Sequence, residues 1–147
     1  LELSGYLEPL GVTGGSALDE TIRLMLVTAD LCEEIGLRYK ARFNAARPSQ
    51  VDARILPFLP NPAHASYPSN HAFQSFAIAQ VFARAVPEHP GLSELFRSAG
   101  RIARNREWAG VHFASDSRAG EDLARMVLPV LEHVLEDQML RARAEWR

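Results

Sequence analysis

Between Ala17 and Ala46 apolar side chains return at a helical period: Ile22, Met25, Ala29, Cys32, Tyr39 and Phe43 fall close to one face. The same period recurs in three later segments, and no stretch alternates apolar and polar residues as a half-buried strand must. This repeated stripe restricts the chain to an all-α fold, a compact helical bundle. Prolines set its punctuation. Pro48 is expected to end the first helix. Pro48, Pro57, Pro60, Pro62 and Pro68 make residues 48–68 a loop. A second helix is expected from Ser69 to Val86, closed by Pro87 and Pro90, and a third from Leu92 to Trp108. A fourth is expected from Ser115 to Arg143, with Leu123, Val127, Leu131 and Val134 on one face and Pro129 as a kink point. Gly5, Gly11, Gly14 and Gly15 make residues 1–16 an irregular N-terminal arm ahead of a single helical domain, residues 17–147. No internal repeat is present.

Composition narrows the function. A net charge of -2 excludes a general nucleic-acid binder, although 15 of the 16 basic residues are arginines and Lys40 is the one lysine. No apolar run reaches the roughly 18–20 residues of a transmembrane segment. Cys32 stands alone, so no internal disulfide forms and the redox compartment stays open. No secretory leader pattern is visible. A soluble protein of the cytoplasm or the periplasm is expected, with a homo-oligomer possible.

Extending each apolar stripe brings polar residues onto the buried side. On the first helix, Ala29 and Gly36 continue to Lys40, Phe43 and Arg47. On the third, Leu95, Ala99 and Ile102 continue to Arg106. On the fourth, Val127, Leu123 and Gly120 lead back to Asp116, and four residues earlier stands His112. Singly, each has an ordinary reading as a snorkelling helix end or a structural ion pair. Together, three cations, a carboxylate and an imidazole at one end of a bundle point to a site for an anion.

Three segments carry the chemistry. In Lys40-x6-Arg47-Pro48 the two cations are about two helical turns apart, on one face. An Arg offers phosphate a bidentate fork and a Lys a point charge. In Pro68-Ser69-Asn70-His71, Ser69 suits a helix N-cap, and the free N–H groups of the turn that follows suit an oxyanion. In Asn105-Arg106-x5-His112-x3-Asp116, a carboxylate one turn from an imidazole can hold one ring nitrogen protonated and leave the other as a nucleophile. His64, His89 and His133 lack metal-ligand spacing, and no Gly-rich nucleotide loop is present. His64 is a candidate to reach the pocket mouth from the loop. Trp108 is expected in the core, and Glu132, Glu136 and Asp137 on a solvated face.

In order and internal spacing the three segments resemble the signature of the type-2 phosphatidic acid phosphatase (PAP2) and vanadium haloperoxidase superfamily: K-x6-R-P, P-S-G-H and S-R-x5-H-x3-D. The resemblance spans Lys40 to Asp116, about half the chain. Asn70 stands where that pattern has Gly, and Asn105 where it has Ser. The first still offers a backbone N–H; the second loses a hydroxyl.

The resemblance implies a helical core and a soluble, acid-phosphatase-like enzyme that takes a small phosphorylated substrate and needs no cofactor or metal. It implies that Lys40, Arg47 and Arg106 clamp the phosphoryl oxygens, with Ser69 and Asn70 adding donors. His112 is then the nucleophile that becomes a phosphohistidine, Asp116 orients it, and His71 protonates the leaving oxygen and later activates water. The alternative within the same resemblance is a haloperoxidase, in which the cage holds vanadate with His112 as its ligand. Shorter chain length leans towards the phosphatase.

Overall fold

A computed structural model describes residues 2–14 and 17–146. Its centre is a helix that other helices cover on nearly every side, α4 (Asn70–Ala85). The sequence explains why. From Ala72 to Ala83 it holds Ala, Phe, Ile, Val, Ser and Gln but no charge, so no side of it demands water. Phe73, Ala77, Ile78, Val81 and Phe82 are fully buried. Around it run α2 (Asp19–Phe43), α5 (Leu92–Trp108), α6 (Ala114–Val134) and α7 (Glu136–Ala144), all of which pack on it. Two short elements complete the set, α1 (Ser4–Leu7), followed by a 3-10 turn (Glu8–Leu10), and α3 (Pro48–Val51). The described residues contain no strand, and no helix among them is long and apolar enough to cross a membrane.

The helices depart from the sequence expectation where tertiary contacts outweigh local signals. α2 ends at Phe43, before Pro48 is reached, because Asn44 turns left-handed at φ 46° and donates its N–H to the Lys40 carbonyl at 2.8 Å. Pro48 opens the short α3, where its missing N–H costs nothing. The expected fourth helix is two helices, parted at Leu135 rather than at Pro129. In the expected irregular arm, residues 4–10 are helical, and Tyr6 and Leu10 join the core; Leu1, Gly15 and Ser16 of that arm lie outside the described residues. The Tyr6 hydroxyl meets the Ser75 hydroxyl at 3.0 Å, and Ser98 donates to the Gly5 carbonyl at 2.5 Å.

The far end of α2 is tied down by the end of the chain. Glu145 accepts the N–H groups of Glu20 and Thr21, each at 2.8 Å, and the Thr21 hydroxyl at 2.7 Å. A carboxylate there caps free donors and complements the helix dipole. Gln138 and Trp146 reinforce the join through the Glu20 carbonyl and the Thr21 hydroxyl, both at 2.9 Å.

Close approach of α6 to the start of α4 shapes the functional end. A Cβ on Gly120 would lie 2.6 Å from the Ser69 carbonyl oxygen and 2.8 Å from the Phe73 nitrogen. Only a glycine allows this approach, and the contact lets Ser69 donate its N–H to the Asp116 carbonyl at 3.0 Å.

Candidate active site

Lys40 lies in the last turn of α2 on its buried side, 1% exposed, and donates from Nζ to the carbonyls of Ala65 at 2.9 Å and Ser66 at 3.2 Å. Arg47, also 1% exposed, enters from the start of α3. Its Nη1 donates to the Val111 carbonyl at 2.8 Å, and its Nη2 to the carbonyls of His64 at 2.9 Å and Ala65 at 3.2 Å. The proline-rich loop thus folds back over both cations and supplies their carbonyl partners except Val111. Arg106 stands half-buried in the last turn of α5, its Nε buried with no hydrogen-bond partner among the described residues.

His112 lies in the turn between α5 and α6 and is buried. Its Nδ1 is 3.1 Å from Asp116 Oδ2, and its Nε2 is 3.1 Å from Arg47 Nη1. These two contacts fix the tautomer. A guanidinium only donates, so Nε2 must present its lone pair; a carboxylate only accepts, so Nδ1 must carry the proton. The Nε2 lone pair therefore faces the Arg47 guanidinium. Asp116 Oδ2 also accepts the Phe113 N–H at 2.9 Å and the Ser66 hydroxyl at 2.5 Å.

Ser69 is the N-cap of α4, accepting the Ala72 N–H at 3.3 Å. The N–H groups of the turn it opens, from Asn70 and His71, have no intrahelical carbonyl to reach. The Asn70 side chain packs against α2, where a Cβ on Gly36 would lie 1.8 Å from Asn70 Oδ1; this oxygen is buried and has no hydrogen-bond partner among the described residues. Gly36 on α2 thus makes the space that Asn70 fills. His71 stands next in the turn with an edge open to solvent.

Electrostatics at this end of the bundle favours an anion. Burial, then repulsion from Arg47, pushes Lys40 down to about 7, against an upward pull from Asp116. Desolvation, then repulsion led by Arg106, with further contributions from His112, Lys40 and His64, pushes His71 down to about 4. The solvent-open edge of His71 moderates the size of that shift and leaves its direction. His112 is also lowered, by burial first and by Arg47 and Lys40, while its bond to Asp116 pulls the other way. For Asp116, burial pushes up, but the donors His112, Ser66 and Phe113 outweigh it and hold the carboxyl below its ordinary value.

The candidate residues Lys40, Arg47, Ser69, Asn70, His71, Arg106, His112 and Asp116 therefore meet at one end of the bundle, through the contacts and charges just described. His64 joins them: its Nδ1 accepts from Arg47 Nη2 at 3.2 Å. A hollow of about 340 Å³ opens beside Arg47 and His64, lined also by Asn44, Gln50 and Pro62. A larger groove, about 600 Å³ between Phe76, Phe96 and Leu128, lies away from this chemistry. Trp108, expected in the core, is 77% exposed. It falls five residues after Ala103, the last buried position of α5 before it, and so turns away from the packed stripe. His89 belongs to an aromatic cluster with Phe82 and Trp146, and His133 lines a groove with Arg84 and Glu136. No cluster of potential metal ligands occurs among the described residues. Ser66 was not legible in the sequence: a serine in a loop, 46 and 50 residues from its two partners, carries no local signal.

No family model and no curated protein matches the chain. Among solved structures it resembles the transmembrane PAP2-type phosphatidylglycerolphosphate phosphatase of Bacillus subtilis, with a TM-score of 0.58. The fold is that of a PAP2-type phosphatase. The likeness covers 78% of this chain and 58% of the neighbour, at 22% identity. The chain thus matches somewhat more than half the length of its neighbour.

Proposed function

We propose that the protein is a PAP2-type phosphatase that hydrolyses phosphate esters through a phosphohistidine on His112. The observation that carries this reading is the placement of His112, with Nδ1 3.1 Å from Asp116 Oδ2 and Nε2 3.1 Å from Arg47 Nη1. A phosphoryl group enters with its oxygens towards Lys40, Arg47, Arg106 and the first N–H groups of α4. These charges and dipoles stabilise the charge of the transition state, and Arg47 Nη1 gives up its contact with Nε2 as the phosphoryl group takes that place. The His112 Nε2 lone pair forms the bond to phosphorus as the ester P–O bond breaks in line. His71 gives its proton to the leaving oxygen. Free His71 is largely neutral at pH 7; the incoming phosphate's negative charge raises its proton affinity in the complex. In the second step His71 takes a proton from water, the water oxygen bonds to phosphorus, and the P–Nε2 bond breaks.

The substrate is a small phosphate monoester or a pyrophosphate-type compound. Lys40, Arg47 and Arg106 supply the positive charge that a metal supplies in other phosphatases, so turnover of an aryl phosphate is expected in the presence of chelator. Complete dependence on added magnesium or zinc would overturn this. A parallel assay with orthovanadate, peroxide and bromide separates the haloperoxidase reading. Vanadate inhibiting in the micromolar range supports the phosphatase, as roughly expected of a transition-state analogue; strong bromide oxidation supports the haloperoxidase.

A further inference from the structure

We propose that Ser66 is a positioning residue for catalysis: its hydroxyl anchors Asp116, which in turn holds His112 in the one tautomer that can attack. The role rests on the phosphohistidine reading above. Ser66 is fully buried, and its Oγ–H donates to Asp116 Oδ2 at 2.5 Å, the shortest of the three bonds on that oxygen. Its Oγ also lies 3.5 Å from His112 Nδ1, at the edge of hydrogen-bond range, so the Nδ1 proton is faced by both oxygens. The backbone of the same residue is pinned on both sides. Ser66 N–H donates to the Ala45 carbonyl at 3.0 Å, and the Ser66 carbonyl accepts Lys40 Nζ at 3.2 Å. One residue therefore connects the cation clamp to the nucleophile's carboxylate.

The hydroxyl matters because Asp116 is buried. A buried carboxylate stays ionised only while donors and cations outweigh its desolvation. The groups facing it are His112 from the α5–α6 turn, Ser66 from the loop, the Phe113 N–H, and the positive charges of Lys40 on α2 and Arg47 at the start of α3. Removing the Ser66 hydroxyl leaves one side-chain donor and one N–H on Oδ2, so the carboxyl takes up a proton at higher pH. Protonated Asp116 no longer demands a proton on Nδ1. Only the Arg47 contact then favours a lone pair on Nε2, so the tautomer is held by one contact instead of two, and the share of rings that carry the proton on Nε2 and lack the nucleophilic lone pair rises.

Ser66→Ala is expected to lower kcat on the order of ten- to hundredfold, the worth of one hydrogen bond to a charged group, with little change in KM. The acid limb of its kcat profile is expected to move to higher pH. Ser66→Cys, nearly isosteric with a weaker donor, should fall between the two and guards against a failure of the alanine variant to fold. Nitrogen-15 NMR of His112 in the ligand-free protein gives a readout independent of turnover: Nδ1 protonated in the wild type, a mixture of tautomers in Ser66→Ala as pH falls. A single tautomer and an unmoved acid limb in Ser66→Ala would overturn the role of Ser66. A tautomer change in a protein without phosphatase turnover would support the Ser66 link and overturn the phosphatase reading alone.

Discussion

Two histidines share one pocket and differ in everything that matters for their chemistry. His112 is buried, with one nitrogen on a carboxylate and the other against a guanidinium. His71 is exposed at one edge, has no carboxylate partner among the described residues, and feels the charges of Arg106 and Lys40. His112→Ala should therefore remove phosphoenzyme and turnover for every substrate. His71→Ala should depress alkyl phosphates far more than activated aryl phosphates, since general acid help of roughly a hundred- to ten-thousandfold is needed only by poor leaving groups. Rapid quench with labelled substrate checks the first claim and a leaving-group series the second; equal losses on both substrate classes would contradict the assignment. Lys40 adds a pH signature. Pushed down to about 7, it is charged below that pH and neutral above it in the free protein. Vanadate affinity should therefore weaken as pH rises past about 7, by up to roughly tenfold per pH unit. Comparing inhibition constants with Lys40→Met cancels the titration of vanadate itself, and the variant should lose the protein's share of the slope.

Single helices place these side chains, and the joint between α4 and α6 is the critical one. Gly120→Ala puts a methyl group against the backbone of Ser69 and Phe73, which cannot swing aside. A cost of about 1–3 kcal/mol is expected, as for other overpacked contacts, read by denaturant unfolding. Activity should fall further than stability implies, because the same contact sets Ser69 against Asp116. Most of the element plan was legible beforehand. Four apolar stripes and a cluster of prolines located α2, α4, α5 and the loop, since burial in a bundle writes its period into the sequence. α5 runs over the expected Leu92–Trp108. The failures share one cause. The break at Leu135 has no Gly or Pro to announce it, and it allows Glu145 and Trp146 to reach the start of α2. Asn44 ends α2 early, and Ser66 enters the site from a loop; both depend on partners remote in sequence or on a backbone angle. The charged members of the site were legible for the opposite reason: each interrupts an apolar stripe, and a buried charge without a purpose is costly.

At the scale of the molecule, three cations and one carboxylate confined at one end of a bundle repel one another on balance, and an anion bound among them should relieve that repulsion. Inorganic phosphate or vanadate is therefore expected to raise Tm, by an amount that grows with the logarithm of its concentration above Kd. Lys40→Met should lose most of this gain; a Tm shift unchanged in that variant would place the anion elsewhere. The sheathing of α4 has a further consequence, in the language of hydrogen exchange. A helix packed against α2, α5, α6 and α7 is wetted only when several of them part, so its interior amides are expected to exchange only when the whole chain unfolds. The first turn of that helix carries Ser69, Asn70 and His71. The donors offered to the anion thus project from the slowest-exchanging part of the molecule, while the N–H groups of Asn70 and His71, with no carbonyl partner among the described residues, should exchange fast until an anion occupies them.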